Sequence, residues 1–407
     1  MAYVIYKKPI VIVVSIAIPI FLLTITNLKS KIKKSVINVF LITFICFYIV
    51  ISRNNYFKTN YVKAIVYLLY IFLPFIMMLN SKNKYIINGF RLSLNIFGIE
   101  HITCTYIATF FKNVYVQYLV PIIKQASVES LAYSQFKNGL NPGFTTHYST
   151  NASYLSIISI YAFSEYINNK KKSRLILLIL SFVALLLTGK RAHPVFVIVS
   201  CIIYYFIVNK DKISKKWMNF ATTLIVGFTL FNVLASFMPQ MLTFINRFEE
   251  LSNSQRGVLN GREEMYSLGF DLWNKHILFG NGWGSYSINY QKYLYINGIS
   301  DSSYLDCHNI YIQLLCETGV TGLTLFLIIT LGTLIMSIKL RLKMKESMLD
   351  FAIIYQIFFL MYGFSGNPLY DPQCYVIYFV CIGIFLIYYM KGKEYEKDKN
   401  NYISQST

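Results

Sequence analysis

Long apolar runs constrain this chain more than any other feature of its sequence. Eleven runs reach or approach the roughly 17–25 residues that an α-helix needs to cross the hydrocarbon core of a bilayer. They lie at about 10–28, 36–51, 61–79, 86–110, 150–168, 173–188, 192–208, 217–238, 318–338, 350–366 and 373–390. Only 14% of the residues are charged and 55% are hydrophobic, so this apolar surface must face lipid. The sequence therefore predicts an all-α, polytopic transmembrane helix bundle of 11–12 spans.

A twelfth span is one of two interpretations of residues 112–128. The stretch from Phe110 to Ile123 is apolar, but Lys112, Asn113 and Pro121 break it. It is either a further span or a helix that lies in the membrane interface.

Lys and Arg clusters predict the side of the membrane on which each loop lies. Those at 170–174, 210–216, 339–345 and after Lys391 all fit the cytoplasmic side. The predicted order is N-terminal spans at 1–128, an outer loop at 129–149, central spans at 150–238, a large outer-face loop with short amphipathic helices at 239–317, C-terminal spans at 318–390 and a basic cytoplasmic tail at 391–407. The clusters near the N-terminus conflict, so eleven spans and twelve spans both stay open.

The sequence argues against nucleic-acid binding, against a zinc site or disulfide framework, and against an ATP-driven motor. The net charge of +20 comes from short basic clusters between apolar runs, which is typical of membrane topology and not of nucleic-acid binding. The seven cysteines form no C-x-x-C pair, so neither a zinc site nor a disulfide framework is predicted. No Walker-type phosphate loop is present, which argues against a built-in ATP motor.

Two arginines in the predicted outer loops are candidates for binding phosphate. Arg191 ends the short turn 188–191 between two apolar helices. Since positive residues tend to stay inside and a guanidinium binds phosphate oxygens in a bidentate manner, phosphate binding is favoured over a boundary cation. Arg262 opens a predicted amphipathic helix. From spacing alone, a salt bridge to Glu263 or Glu264, or exposure of the side chain to solvent, accounts for Arg262 better than phosphate binding does.

The segment from Gly280 to Gly322 interrupts the apolar pattern with glycines, a histidine, an amide and a carboxylate. If residues 307–317 are helical, Asn309 and Glu317 fall on one face with the glutamine that lies between them. Glu317 is predicted to stabilise a turn rather than to orient a catalytic group.

His308 stands at the start of this predicted helix. A neutral imidazole there can accept a proton from a hydroxyl group, or it can simply fix the start of the helix. The residues alone leave both interpretations open.

Trp283 and His147 are weaker candidates for contact with a substrate. Gly282 and Gly284 flank Trp283 and would permit close approach of the backbone to a ligand, while the indole could stack on a sugar or anchor the chain at the interface. His147 precedes a predicted helix, where a capping role and a substrate contact both stay open.

The order of these motifs resembles the bacterial O-antigen polymerase and O-antigen ligase superfamily, the Wzy-type integral-membrane glycosyltransferases. The resemblance rests on three motifs: Gly261-Arg262 before a helix that contains Trp273, Gly280-Asn281-Gly282-Trp283-Gly284, and His308-Asn309 leading to Glu317-x-Gly319-x-x-Gly322. The turn 188–191 and residues 143–152 add to it, and the first 130 residues resemble the family only as hydrophobic spans. Lys190 stands where a small residue is more usual, and the histidine loop is modest in length, so polymerase and ligase both stay open.

This resemblance implies transfer of glycan from undecaprenyl pyrophosphate at the outer face of the cytoplasmic (inner) membrane. It would assign Arg191 and Arg262 to the diphosphate and His308 to the acceptor hydroxyl, with inversion at the anomeric carbon and no metal or other cofactor. The partners implied are the lipid-linked oligosaccharide donor, the glycan acceptor and membrane lipid, with a chain-length regulator and a flippase as further partners.

A polymerase of O-antigen or capsular repeat units is the leading hypothesis. One alternative is a ligase that transfers finished glycan to lipid A core or another acceptor. The alternative from another class is a transporter or flippase of lipid-linked sugars, which should show half-sequence symmetry and broken helices at the membrane middle. The polar residues gather in outer loops instead, which favours chemistry at the surface.

Overall fold

The computed structural model describes residues 36–52, 61–82, 84–126, 131–209, 211–237, 262–298 and 306–406. All regular secondary structure in these ranges is helical, as predicted. The α-helices are α1 (Val36–Ser52), α2 (Tyr61–Leu79), α3 (Lys84–Phe110), α4 (Lys112–Val114), α5 (Val120–Ala126), α6 (Ala132–Lys137), α7 (Tyr148–Asn169), α8 (Lys172–Leu187), α9 (Ala192–Val208), α10 (Ile213–Phe237), α11 (Arg262–Lys275), α12 (Ser285–Ile296), α13 (Ile310–Lys343), α14 (Ser347–Tyr362) and α15 (Pro372–Ser406). A π-helical turn, Tyr115–Leu119, joins α4 to α5.

From residue 36 onward, helices occupy the positions of the predicted spans, whereas the span at 10–28 lies outside the described residues. Within the described ranges, α13 and the Pro372–Gly392 part of α15 are long and apolar enough to cross a membrane. Shorter apolar helices, such as α9 and α14, accompany them. These features fit a helical membrane protein. The number of crossings and their orientation stay predictions.

The helical stretch from α4 to α5 covers the described part of residues 112–128. It runs from residue 112 to residue 126, which corresponds to about 22 Å of helix. Since the hydrocarbon core is about 30 Å thick, this stretch is too short to be a straight span. The described length fits the interfacial interpretation, and the choice between eleven and twelve spans stays a prediction.

The described residues form two compact units. The first contains the described residues of Ile87–Val258 together with Arg341–Phe358. The second contains the described residues up to Ile86, those of Leu259–Leu340 and those from Phe359 onward.

In the first unit, α7 packs along α8 and α9. The buried face of α7 includes small polar side chains, among them Ser153, Ser156, Ser159 and Ser164. By contrast, α3 exposes the apolar residues Leu92, Ile96 and Ile99. Small polar residues inside and apolar residues outside are typical of helices packed in lipid.

Ionic contacts tie several helices of the first unit together. Arg341, at the end of α13, pairs with the fully buried Asp350 of α14. Asn168 of α7 donates to Asp350 Oδ2 at 2.6 Å. Arg91 of α3 lies 3.5 Å from the carboxylate of Glu165 on α7. Because an unpaired buried charge is costly, these pairings fix how the helix ends meet.

In the second unit, α15 packs along α2. Gly383 allows this approach, since a Cβ there would lie 2.4 Å from Met77 Sδ. Further along the contact, the rings of Tyr70 and Tyr375 have their centroids 5.6 Å apart. The same unit holds α11, α12 and most of α13, which carry the candidate site.

Candidate functional site

The centre of the candidate site is a break in α13 at Gly319. There the backbone has φ 65° and ψ −169°, so α13 is two helices joined at a kink. A side chain at this position would collide, because a Cβ would lie 2.4 Å from the carbonyl carbon of Leu278. The sequence analysis placed the boundary between outer loop and span at 317/318. The kink at Gly319 lies next to that boundary, and the helix before the kink agrees with the one considered at 307–317, while the boundary between loop and span stays a prediction.

A helix break leaves carbonyl groups before it and N–H groups after it without intrahelical partners. Residues 277–282 supply these partners. Before the break, the carbonyls of Cys316 and Glu317 accept from the N–H groups of residues 281 and 282 at 2.9 and 2.8 Å. After it, the N–H groups of Val320 and Thr321 donate to the carbonyls of residues 277 and 278 at 3.0 and 3.1 Å. The glycine-rich segment thus caps both halves of α13.

Asn281 extends this capping to α11. Its side-chain Nδ2 donates to the carbonyl of Leu272 at 2.7 Å and to that of Cys316 at 3.0 Å. On either side of Trp283, Gly282 and Gly284 have φ values of 103° and 82°. These two glycines therefore shape the turn that leads into α12, and this geometry needs no ligand to explain it.

Gln313 organises the chain that precedes His308. Its fully buried amide oxygen accepts from the backbone N–H of Cys307 at 3.0 Å and from Asn367 Nδ2 at 2.7 Å. Its amide nitrogen donates to Asp306 Oδ1 at 2.9 Å and to Glu317 Oε1 at 3.3 Å. Both donors and both acceptor sites of the amide are thereby used, so the amide holds one orientation.

Glu317 is fully buried and accepts hydrogen bonds from two other segments of the site. Its Oε1 accepts from the backbone N–H of Tyr286 at 3.2 Å, and its Oε2 accepts from the hydroxyl of Tyr370 at 2.6 Å. The ring of Tyr370 also stacks on Trp283, with centroids 4.5 Å apart and an interplanar angle of 11°. Since Trp283 is only 6% exposed, its indole is covered by protein. This geometry fits a packing role for Trp283 better than the predicted stacking on a sugar.

Asn309 lies one residue before the helix, whereas the expectation of a face shared with Gln313 and Glu317 assumed a helix from residue 307. Because α13 begins at Ile310, Asn309 occupies the N-cap, and its Oδ1 accepts from the N–H groups of Tyr311 and Ile312 at 3.0 and 3.2 Å. The expected contact between Gln313 and Glu317 does form.

His308 lies just before this cap and is half-buried. Its φ of 56° is left-handed, a conformation that is uncommon for a residue with a Cβ. The fixed Cys307 on one side and the capping Asn309 on the other hold the histidine in this conformation. Burial raises the pKa of the Cys307 thiol to about 12, so this neighbour stays protonated and is a poor nucleophile or metal ligand.

Arg262 and the start of α13 are both bonded to one short turn. The carbonyl of Gly363 accepts from the N–H of Ile310 at 2.9 Å. The carbonyl of Ser365 accepts from Arg262 Nη1 at 3.3 Å. The contact of Arg262 is thus with the backbone of this turn, and not the predicted salt bridge to Glu263 or Glu264.

The loop at 363–371 is the part of the site that sequence analysis missed. It supplies Asn367 to Gln313, Tyr370 to Glu317, and the turn that receives Arg262. In the sequence it is only a gap between two apolar runs. The polar residues Gly366-Asn367-Pro368 between these runs are the one sequence feature that could have indicated a loop with a role in the site.

Arg191 and His147 belong to the first unit. Arg191 is half-buried and directly precedes α9. His147 caps α7, since its Nδ1 accepts from the N–H of Ser149 at 3.1 Å. Burial and the charge of Lys190 lower the pKa of His147 to about 4, so its imidazole is neutral at ordinary pH. The structure thus brings His147 near the Lys190-Arg191 turn, and it favours the capping role for the histidine.

In the described residues, no group of three or more His, Cys, Asp and Glu side chains is placed to hold a metal ion.

No curated protein sequence matches the chain. The family model Wzy_C, described as O-antigen ligase, matches residues 176–327. This range includes Arg191, Arg262, His308 and the kink at Gly319. Members of this family are membrane proteins of glycosyltransferase type that act on lipid-linked oligosaccharides. Over these residues the chain is similar to the O-antigen ligase family.

Proposed function

We propose that the protein polymerises undecaprenyl-pyrophosphate-linked oligosaccharide repeat units into O-antigen or capsular polysaccharide at the outer face of the cytoplasmic membrane. The observation that carries this proposal is the turn Gly363–Ser365. It accepts one hydrogen bond from the helix that follows His308 and another from Arg262. The helix start next to His308 and the guanidinium of Arg262 thus meet at one turn, and glycan transfer from a diphosphate requires a base and a cation close together.

In the proposed reaction, a hydroxyl of the acceptor glycan attacks the anomeric carbon of the donor. His308 takes the hydroxyl proton as the new C–O bond forms. The bond from the anomeric carbon to the diphosphate oxygen breaks, and undecaprenyl pyrophosphate leaves with the electron pair. Attack opposite the leaving group inverts the anomeric configuration. Since a diphosphate leaves readily, the step needs neither a carboxylic acid to protonate it nor a metal ion.

The surroundings of His308 support its role as base. General bases work best when they are held in one geometry before the substrate arrives. Gln313 fixes the residue before the histidine, Asn309 caps the helix after it, and Gly363 binds the first N–H group of that helix. We therefore assign Asn309 and Glu317, together with Trp283 and its flanking glycines, to positioning of the histidine and not to contact with the reacting atoms.

Arg262 and Arg191 are the proposed diphosphate ligands. The contact of Arg262 with Ser365 uses one nitrogen, Nη1, so the guanidinium keeps further N–H groups that can bind phosphate oxygens. The assignment of Arg191 rests on the family resemblance and on the chemistry of its guanidinium.

The test uses cells that lack the chromosomal gene and produce the full-length protein from a plasmid, with membrane levels checked. His308→Ala and Arg262→Gln are compared with His276→Ala and Lys275→Gln, which change exposed residues at the other end of α11. We expect the first pair to lose long-chain glycan while single repeat units still reach the outer face. Loss of a general base slows a reaction by about 100- to 10,000-fold. The second pair should keep normal chain lengths.

Other outcomes identify the alternatives. Normal chain lengths in His308→Ala would exclude the histidine as base. Long chains that form but stay on undecaprenyl pyrophosphate would indicate a ligase. Repeat units that accumulate inside the cell would indicate a transporter or flippase.

A further inference from the structure

The helical stretch at 112–126 exposes an apolar stripe in the first unit. Phe111, Val114, Tyr118 and Ile122 are each between 45% and 61% exposed. The last three are spaced by four residues, and the π-helical turn between them, with its wider i→i+5 hydrogen bonds, keeps this spacing on one side. Exposed aromatic and aliphatic residues in a continuous row mark an interaction surface.

The opposite side of the same stretch is fixed to the protein. Tyr115 is fully buried, and its ring centroid lies 4.9 Å from that of Phe136 on α6. The Tyr115 hydroxyl donates to the carbonyl of Gly143 at 2.9 Å. Val120 and Ala108 complete this buried cluster. The apolar stripe is therefore a defined face of a packed element, not the surface of a loose segment.

A third side of the stretch forms a cavity of about 350 Å³ with α6. Its lining contains no carboxylate and consists of Lys112, Asn113, Val116, Gln117, Tyr133, Phe136 and Lys137. The ammonium groups of Lys137 and Lys124 lie 4.6 and 5.3 Å from the centroid of the Tyr133 ring. The cavity is therefore lined by two lysines and by neutral residues, which favours an anionic ligand.

We propose that residues 111–126 and 131–137 form a binding site for an anionic phospholipid. The apolar stripe lies among the acyl chains of one leaflet, and the lysine-lined cavity takes the phosphodiester headgroup, with Asn113 and Gln117 as neutral hydrogen-bond donors. The site directly follows α3, which also exposes aliphatic residues suited to lipid. Charge complementarity selects the headgroup, since lysines near a membrane surface attract anionic lipids. This inference does not depend on the proposed enzymatic activity or on the orientation of the chain.

Photo-crosslinking tests what covers the stripe. The full-length protein is placed in bilayers of phosphatidylglycerol and phosphatidylcholine with p-benzoylphenylalanine in place of Tyr118, and the mass of the adduct is measured. Phosphatidylglycerol adducts are expected. The same amino acid in place of Gln117, which lines the cavity side, should give fewer adducts with acyl chains. A second copy of the chain as the main adduct would overturn the proposal, and so would a polyprenyl diphosphate in native membranes.

Measurement of retained lipid tests whether the lysines of the cavity bind an anionic headgroup. The purified full-length protein is mixed with phosphatidylglycerol or phosphatidylcholine, and native mass spectrometry measures how much lipid stays bound. Each lysine near a membrane surface strengthens binding of an anionic lipid about fivefold, so Lys112→Gln with Lys137→Gln should weaken phosphatidylglycerol binding about 30-fold. Lys275→Gln with Lys292→Gln is the matched control, because both residues are exposed and lie outside the cavity. Equal retention by both double variants, or no preference of the unchanged protein for phosphatidylglycerol, would overturn the proposal.

Discussion

Replacing Gly280 by alanine tests whether close packing against the break in α13 holds the candidate site together. Gly280 has φ 67°, and a Cβ there would lie 2.4 Å from both the carbonyl carbon of Glu317 and the amide nitrogen of Thr318. Both atoms belong to the backbone. Relief of the collision therefore requires the two chain segments to separate, because no side chain can rotate away.

The expected magnitude follows from two terms. A left-handed conformation costs an alanine about 1–2 kcal/mol, and a forced collision in a packed region costs about 1–3 kcal/mol more. Gly280→Ala should therefore lower the free energy of unfolding by about 2–5 kcal/mol. Gly298 is the matched control, since its φ is 70° and a Cβ there would meet no atom within 4 Å. Gly298→Ala should cost only the first term, about 1–2 kcal/mol.

The assay is thermal unfolding of the full-length variants in one detergent, with glycan chain length in cells as a second readout. Gly280→Ala should unfold at the lower temperature and should also shorten the glycan. Equal unfolding temperatures would refute the reasoning, because the collision would then contribute nothing beyond the backbone conformation that both glycines share.

Two further predictions concern stability. Tyr370→Phe removes a donor from the buried Glu317 carboxylate and should cost about 1–3 kcal/mol in thermal unfolding, whereas Tyr295→Phe, at a residue that is 83% exposed, should have no effect. The pKa of His147 is lowered to about 4, below the about 6.5 of an unfolded histidine, so its contribution to stability is complete above about pH 6.5 and is lost as the pH falls toward 4. His147→Asn, which can cap without titrating, should show a smaller loss over that range, and an equal loss would contradict this assignment.

Most helix positions could be predicted because an apolar run is a local property of the sequence. The spans predicted at 150–168 and 173–188 correspond to α7 (Tyr148–Asn169) and α8 (Lys172–Leu187). The break inside α13 is harder to predict, because it depends on contacts with another segment of the chain. The sequence analysis began a span at residue 318, next to the kink at Gly319, but the bonds from residues 277–282 that hold this kink come from a separate part of the chain.

The sequence by itself determined that the chain is helical and suited to lipid, and it marked Gly280–Gly322 as the polar interruption that matters. Only the tertiary structure decided why that segment is glycine-rich and what its polar groups bind. Glycines let residues 277–282 approach the broken helix closely enough to bond its free backbone groups. The partners of Gln313 and Glu317, Asn367 and Tyr370, lie more than fifty residues away along the chain. Contacts at such separations form only when helices pack, and no local pattern of residues encodes them.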